Sequence, residues 1–157
     1  MYFTGALPPL NPVDAIVGPV FAQLVTIERT NPSGLHATPG YHHVTKVEAK
    51  QLVFLAGQCP LTALGDLADG GLEGQTDQVI QNVLLALESA GARPEDVVRT
   101  VIYVVSSVRD ELSGVWDRLN ASPLAPAFST ASTLLGVAPA QLGFTGQLVE
   151  LDVTAAL

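Results

Sequence analysis

Positive charge is scarce in this chain. Seven Lys and Arg stand against fifteen Asp and Glu, giving a net charge of −8. The cations are Arg29, Lys46, Lys50, Arg93, Arg99, Arg109 and Arg118, and they form no run or stripe. Nucleic-acid binding draws on clustered cations that displace counterions from phosphates, so DNA and RNA are not expected partners. An anionic membrane surface is excluded on the same ground. Charge of either sign is low, at 14% of residues, while 48% are hydrophobic. So little charge leaves apolar surface to be buried against copies of the same chain. There is one cysteine, Cys59, so no disulfide forms within the chain. No Cys/His spacing suggests a metal site. Long apolar runs are missing too. Residues 5–25 are broken by Pro8, Pro9, Pro12, Gly18 and Pro19, which fits neither a signal peptide nor a membrane span. The cytoplasm is the expected location. Gly65, Gly70, Gly71 and Gly74 match no phosphate-binding loop, so no cofactor is expected.

What remains is enough for one domain. Residues 1–22, rich in Pro, Gly and Ala, read as an N-terminal extension with a turn of helix at Val13–Val17. Residues 23–157 read as the domain. Val25–Arg29 is a candidate strand, and 31–40 (NPSGLHATPG) is a loop dense in turn formers. Tyr41–Val47 and Leu52–Ala56 read as two strands of a hairpin, the second one buried. From Glu73 to Ala90 the positions Thr76, Val79, Ile80, Val83, Leu84 and Leu87 recur at helical spacing, and Gly91 follows as a left-handed cap. Val97–Val105 (VVRTVIYVV) reads as a central strand. Ser107 to Asp110 resembles a capping box opening a second helix, with Val108, Leu112, Val115, Trp116 and Leu119 as its buried stripe. Thr130–Val137 and Gln147–Ala155 close the chain as strands. The order fits an α+β fold, a sheet with both helices on one face.

Four segments carry a resemblance. They are Pro39-Gly-Tyr41, Leu52-Val-Phe-Leu-Ala-Gly-Gln58, the stretch Gln75–Asp96 followed by Val97-Val-Arg-Thr100, and Leu148-Val-Glu-Leu-Asp152. Together, in this order and at these spacings, they resemble the RidA/YjgF family, also called L-PSP endoribonuclease-like. The resemblance covers about residues 26–157 and implies a chorismate-mutase-like α+β fold assembled as a homotrimer. It implies ligand clefts between subunits, and in many members the hydrolysis of enamines and imines with release of ammonia. It places Tyr41, Ala56 (where the family has a serine), Gly57, Gln58, Ser132 and Leu134 around the ligand, with His43 on the side of Tyr41 by strand alternation, and gives Glu150 the role of placing an attacking water. The family's carboxylate-gripping arginine is missing. Its position falls on Ser132 when aligned through Leu134–Ala138, or on Phe128 when aligned through Pro126–Ser129. No Arg or Lys follows Arg118 in either case. A carboxylate left in a partly dry cleft without its charge partner is disfavoured by about 3–5 kcal/mol. An arginine introduced at Ser132 is expected to enter the cleft within reach of Glu150.

Each candidate also has an ordinary reading. Glu150 inside an alternating LVEL strand is also what a solvent-facing carboxylate looks like. Tyr41 and His43 share a side if the segment is extended, leaving His42 on the other; either histidine could equally sit at a subunit interface. His36 lies in the loop. Cys59 has no cation or helix N-terminus next to it in sequence to make it a thiolate, and reads as a small buried hydrophobe. Ser132 and Thr133 lack a nucleophile elbow and read as strand hydroxyls. Three functions follow: a trimer binding a small, largely uncharged metabolite, an imine deaminase of unusual substrate using Glu150, and a non-catalytic or chaperone-like scaffold.

Overall fold

The computed structural model describes residues 25–157. The N-terminal extension and its expected helical turn at Val13–Val17 therefore lie outside the described residues. The elements run β1 (Thr26–Thr30), β2 (Val44–Glu48), β3 (Leu52–Phe54), α1 (Gly71–Ser89), β4 (Val97–Val105), α2 (Arg109–Asn120), β5 (Ala131–Val137) and β6 (Val149–Ala156). Single 3-10 turns at Pro94–Asp96 and Ala125–Phe128 precede β4 and β5. Four strands make the main sheet in the order β3-β6-β4-β5, with β4 and β5 parallel and the other pairs antiparallel. β1 and β2 form a separate antiparallel ribbon.

The core lies between the helices and one face of this sheet. Thr100, Ile102 and Val104 of β4 and Val149, Leu151, Val153 and Ala155 of β6 are buried there. Val79, Val83 and Leu87 of α1 and Val115 and Leu119 of α2 close over them. Each such aliphatic side chain contributes roughly 1.5–3 kcal/mol by leaving water. Gly91 ends α1 at φ +75°, the left-handed conformation expected of it. The buried Gln75 ties α1 to the approach of β6. Its Nε2 donates to the Gly146 carbonyl (3.0 Å), and its Oε1 accepts from the Leu148 amide (2.7 Å).

Three expectations need correction. First, β2 and β3 do not form a hairpin. β2 pairs with β1, and β3 pairs with β6 at Val53–Ala155. The amides of Lys50 and Gln51 both bond to the Leu157 carbonyl, so the chain turns toward the C-terminal strand as soon as β2 ends. Second, Tyr41–His43 are not in β2, which starts at Val44. The Tyr41 carbonyl accepts from Thr38 Oγ1, and the His42 and His43 amides bond to the Thr130 carbonyl and Asn31 Oδ1. β3 likewise stops at Phe54, and Leu52 and Phe54 are 53% and 73% exposed rather than buried. Third, Ser107 does not cap α2. The hydroxyl of Ser106 accepts the Val108 amide (2.9 Å) and donates to Glu111 Oε2 (2.5 Å), so the helix begins at Arg109 and Val108 is exposed.

β4 is central and flanked on both sides, as its composition requires. Only alternate side chains reach the core, however. Arg99, Val101, Tyr103 and Val105 point to the second sheet face with Glu150, Asp152 and Thr154 of β6. Phe54 and Leu135 join them there and are exposed.

Candidate functional site

The expected site residues fall into two groups on opposite faces of the sheet. Ser132 pairs in register with Thr100, and Leu134 with Ile102, so both point to the helix face. Glu150 pairs with Tyr103 and points the other way.

On the helix face, β5 is the edge strand and α2 lies alongside it. Between them opens a cavity of about 410 Å³ lined by Pro39, Tyr41, Ser113, Trp116, Asp117, Ser132 and Leu134. Tyr41 reaches it because the loop before β2 is held against β5. Thr45 Oγ1 bonds to Thr130 Oγ1 (2.8 Å) and accepts from the Ala131 amide (2.9 Å). The aromatic rings meet edge to face: Tyr41 on Trp116 at 6.3 Å, and Trp116 on Phe128 at 5.9 Å. His36 Nε2 lies 3.0 Å from the Tyr41 hydroxyl, and His43 Nε2 lies 3.0 Å from the His36 carbonyl. His43 thus sits one ring back from the cavity, behind Tyr41. His42 is turned away, with its ring Nδ1 enclosed and without a partner among the described residues. The Ser132 hydroxyl bonds to Thr100 Oγ1 at 2.7 Å. Of the two positions the arginine alignment offers, Ser132 opens on this cavity and Phe128 is completely buried in the core.

On the open face, Glu150 is half-buried at the rim of a second cavity of about 530 Å³, with Cys59, Tyr103, Gln141 and Asp152. The buried Gln147 donates from Nε2 to Glu150 Oε2 at 2.9 Å, and the Cys59 thiol donates to the same oxygen at 3.5 Å. Gly57 and Gln58 arrive through a backbone bridge from Gln58 to Leu151. A Cβ on Gly57 would collide with the Glu150 carboxylate, so the absence of a side chain there gives Glu150 its place. Gln58 turns its own amide back to the Ala56 carbonyl (2.8 Å), and Ala56 is exposed. Asn82 of α1 fixes the following loop through the Cys59 and Leu61 carbonyls. Burial, then the charge and hydrogen bond of Glu150, push the Cys59 thiol up to about 11. It is a protonated donor at neutral pH, not a nucleophile. Tyr103 donates to Asp152 Oδ2 at 3.3 Å, and burial followed by that carboxylate's charge raises its pKa.

The sequence reading missed Gln147, Tyr103 and Asp152 around Glu150, and Ser113 and Asp117 in the helix-face cavity. It placed Trp116 only in the core stripe. Asp152 was within reach, since a residue two along a strand from Glu150 shares its face. Gln147 precedes β6, and no periodicity points to it. A third hollow of about 960 Å³ at the start of α2 is lined mainly by apolar groups and holds only Leu134 of the expected residues.

Residues 33–157 match the family model described as endoribonuclease L-PSP. The chain belongs to this family. The structure of a Rid family protein of unknown function from Yersinia pestis, YyfB, is 30% identical, with a TM-score of 0.75 over 83% of this chain and 98% of that one. A yeast structure, YEO7, is 25% identical with a TM-score of 0.58 over 83% of this chain and 98% of that one. Among curated proteins, HMF1 of Saccharomyces cerevisiae is 35% identical over 43% of this chain and 51% of its own length. A RutC family protein of Pyrococcus abyssi is 36% identical over 37% and 46%. The chain thus matches about half the length of the curated relatives. The L-PSP (Rid) fold accounts for the mixed sheet with two helices on one face. No helix of the described residues is long and apolar enough to cross a membrane.

Proposed function

We propose that this L-PSP family chain binds a small metabolite in clefts between copies of itself, as a homotrimer, and is not a deaminase of ordinary 2-imino acids. The observation that carries this is the helix-face cavity, which Tyr41, Ser132 and Leu134 line without any Lys or Arg. A substrate carboxylate entering it would lose hydration and find only the neutral hydroxyls of Tyr41, Ser113 and Ser132, the last already bonded to Thr100, with the Asp117 carboxylate close by. The sheet supports the intersubunit reading. Tyr41 and Ser132 stand on one face of it and Glu150 on the other, so a site using both groups needs two copies of the chain. For the same reason, an arginine at Ser132 would reach the Glu150 of a neighbouring copy, not its own.

Glu150 favours a second reading. Held by Gln147 at the second cavity, its carboxylate would take a proton from a water that adds to an imine carbon and pass it to the nitrogen; the remaining hydroxyl proton follows as the C–N bond breaks, ammonia leaves and a carbonyl remains. Ammonia release from 2-aminoacrylate and branched-chain 2-imino acids generated in situ separates the two. Release no faster than the buffer blank is expected. A rate lost on Glu150→Gln would overturn the non-deaminase reading.

A further inference from the structure

The helix-face cavity has a composition that selects for charge. Two of its walls are π-systems, Tyr41 and Trp116. Its one ionisable group besides Tyr41 is Asp117, an exposed residue of α2 whose carboxylate makes no ion pair or hydrogen bond among the described residues. The neighbouring cation, Arg118, cannot serve it. That guanidinium points to α1, where it bonds Asp77 at 2.6 Å through both Nε and Nη2, and Glu73 at 3.1 Å. Residues 1–24 contain no Lys, Arg or His. Ser113 and Ser132 add hydroxyls, and Leu134 and Pro39 an apolar floor.

Aromatic walls and a free carboxylate around a small cavity attract one ligand class above others. A cation gains from the ring quadrupoles and from the carboxylate together, whereas an anion is repelled by both. We propose that the cavity between Tyr41, Trp116 and Asp117 takes a small organic cation, an amine carried on an apolar or aromatic body. This rests on the reading of the cavity as a metabolite site and names the charge of its occupant. Asp117 would face the ammonium group, Tyr41 and Trp116 would flank it, and the body would lie on Leu134.

Trp116 is the only tryptophan of the chain, so its fluorescence reports this cavity. The test titrates the full-length protein with benzylammonium, benzyl alcohol and benzoate, three probes of one shape and different charge. Benzylammonium is expected to change Trp116 emission with a Kd about tenfold or more below that of benzyl alcohol, and benzoate is expected to bind weakest. Asp117→Asn, at an exposed position where folding is readily checked by circular dichroism, removes the charge and leaves the two rings, so it should narrow the gap between amine and alcohol severalfold. Equal binding of amine and alcohol, or an amine preference that Asp117→Asn leaves undiminished, overturns the cation proposal and leaves a neutral-metabolite site standing. Tightest binding by benzoate overturns it and restores a carboxylate site. Failure of all three probes to perturb Trp116 overturns the proposal together with the metabolite reading of this cavity.

Discussion

At the scale of single residues, the chemistry of the open face centres on one carboxylate. Glu150 is held by the Gln147 amide and the Cys59 thiol and is given room by the missing side chain of Gly57. Because Cys59 is the only cysteine, its titration reads the carboxylate beside it. Alkylation of native protein across pH should show a midpoint near the value of about 11 to which Cys59 is raised. Glu150→Gln removes the charge and the accepting carboxylate but not the burial, which is the larger cause. The midpoint should therefore fall, yet stay above that of an ordinary thiol. An unchanged midpoint would mean that thiol and carboxylate do not touch. Glu150 itself was legible from the sequence as a family position. Its neighbours were less so, because Gln147 and Cys59 come from two loops whose meeting depends on how β3 docks on β6.

Among elements, the legible parts are those whose burial pattern is local. α1 and β4 stand where period 3.6 and a run rich in β-branched residues put them, within two residues at the ends of the helix and with none to spare for the strand. The pairing of β3 was not legible. Alternation marks a strand but does not name its partner, and the partner lies about a hundred residues away at Leu52–Ala156. Leu52 and Phe54 are exposed although their hydrophobicity marks them for burial, because hydrophobicity alone does not separate a core position from an open sheet face. The two helices are tied by an ion cluster, Arg118 with Asp77 and Glu73, and its acid dependence can be predicted. The hydrogen bond from Arg118 holds the Asp77 carboxyl below the usual carboxylate range. A depressed carboxylate stabilises the fold fully above its unfolded pKa, about 4, and loses that contribution as pH falls through its folded value. Asp77→Asn should lower stability at pH 7 by less than about 1 kcal/mol, since both side chains keep water around them. The difference from the native chain should vanish in thermal melts below pH 3. A gap that persists in acid would show that Asp77 acts by packing and not by charge.

For the whole molecule, the second sheet face sets the terms. Arg99, Val101, Tyr103, Glu150 and Asp152 lie half-covered or open on it, and Phe54 and Leu135 are exposed beside them. A lone chain would leave these rings and aliphatic groups in water, and would keep Glu150 a full sheet thickness from Tyr41 and Ser132. The proposed assembly of copies would resolve both at once, covering the apolar groups and bringing the two halves of the site within reach of each other. The proposed homotrimer is tested most directly by the mass of the protein in dilute neutral buffer. Light scattering coupled to size exclusion should return three times the 16.4 kDa of one chain, independent of loading concentration across the micromolar range. A single-chain mass under those conditions would contradict it, because the site as described would then have no way to form.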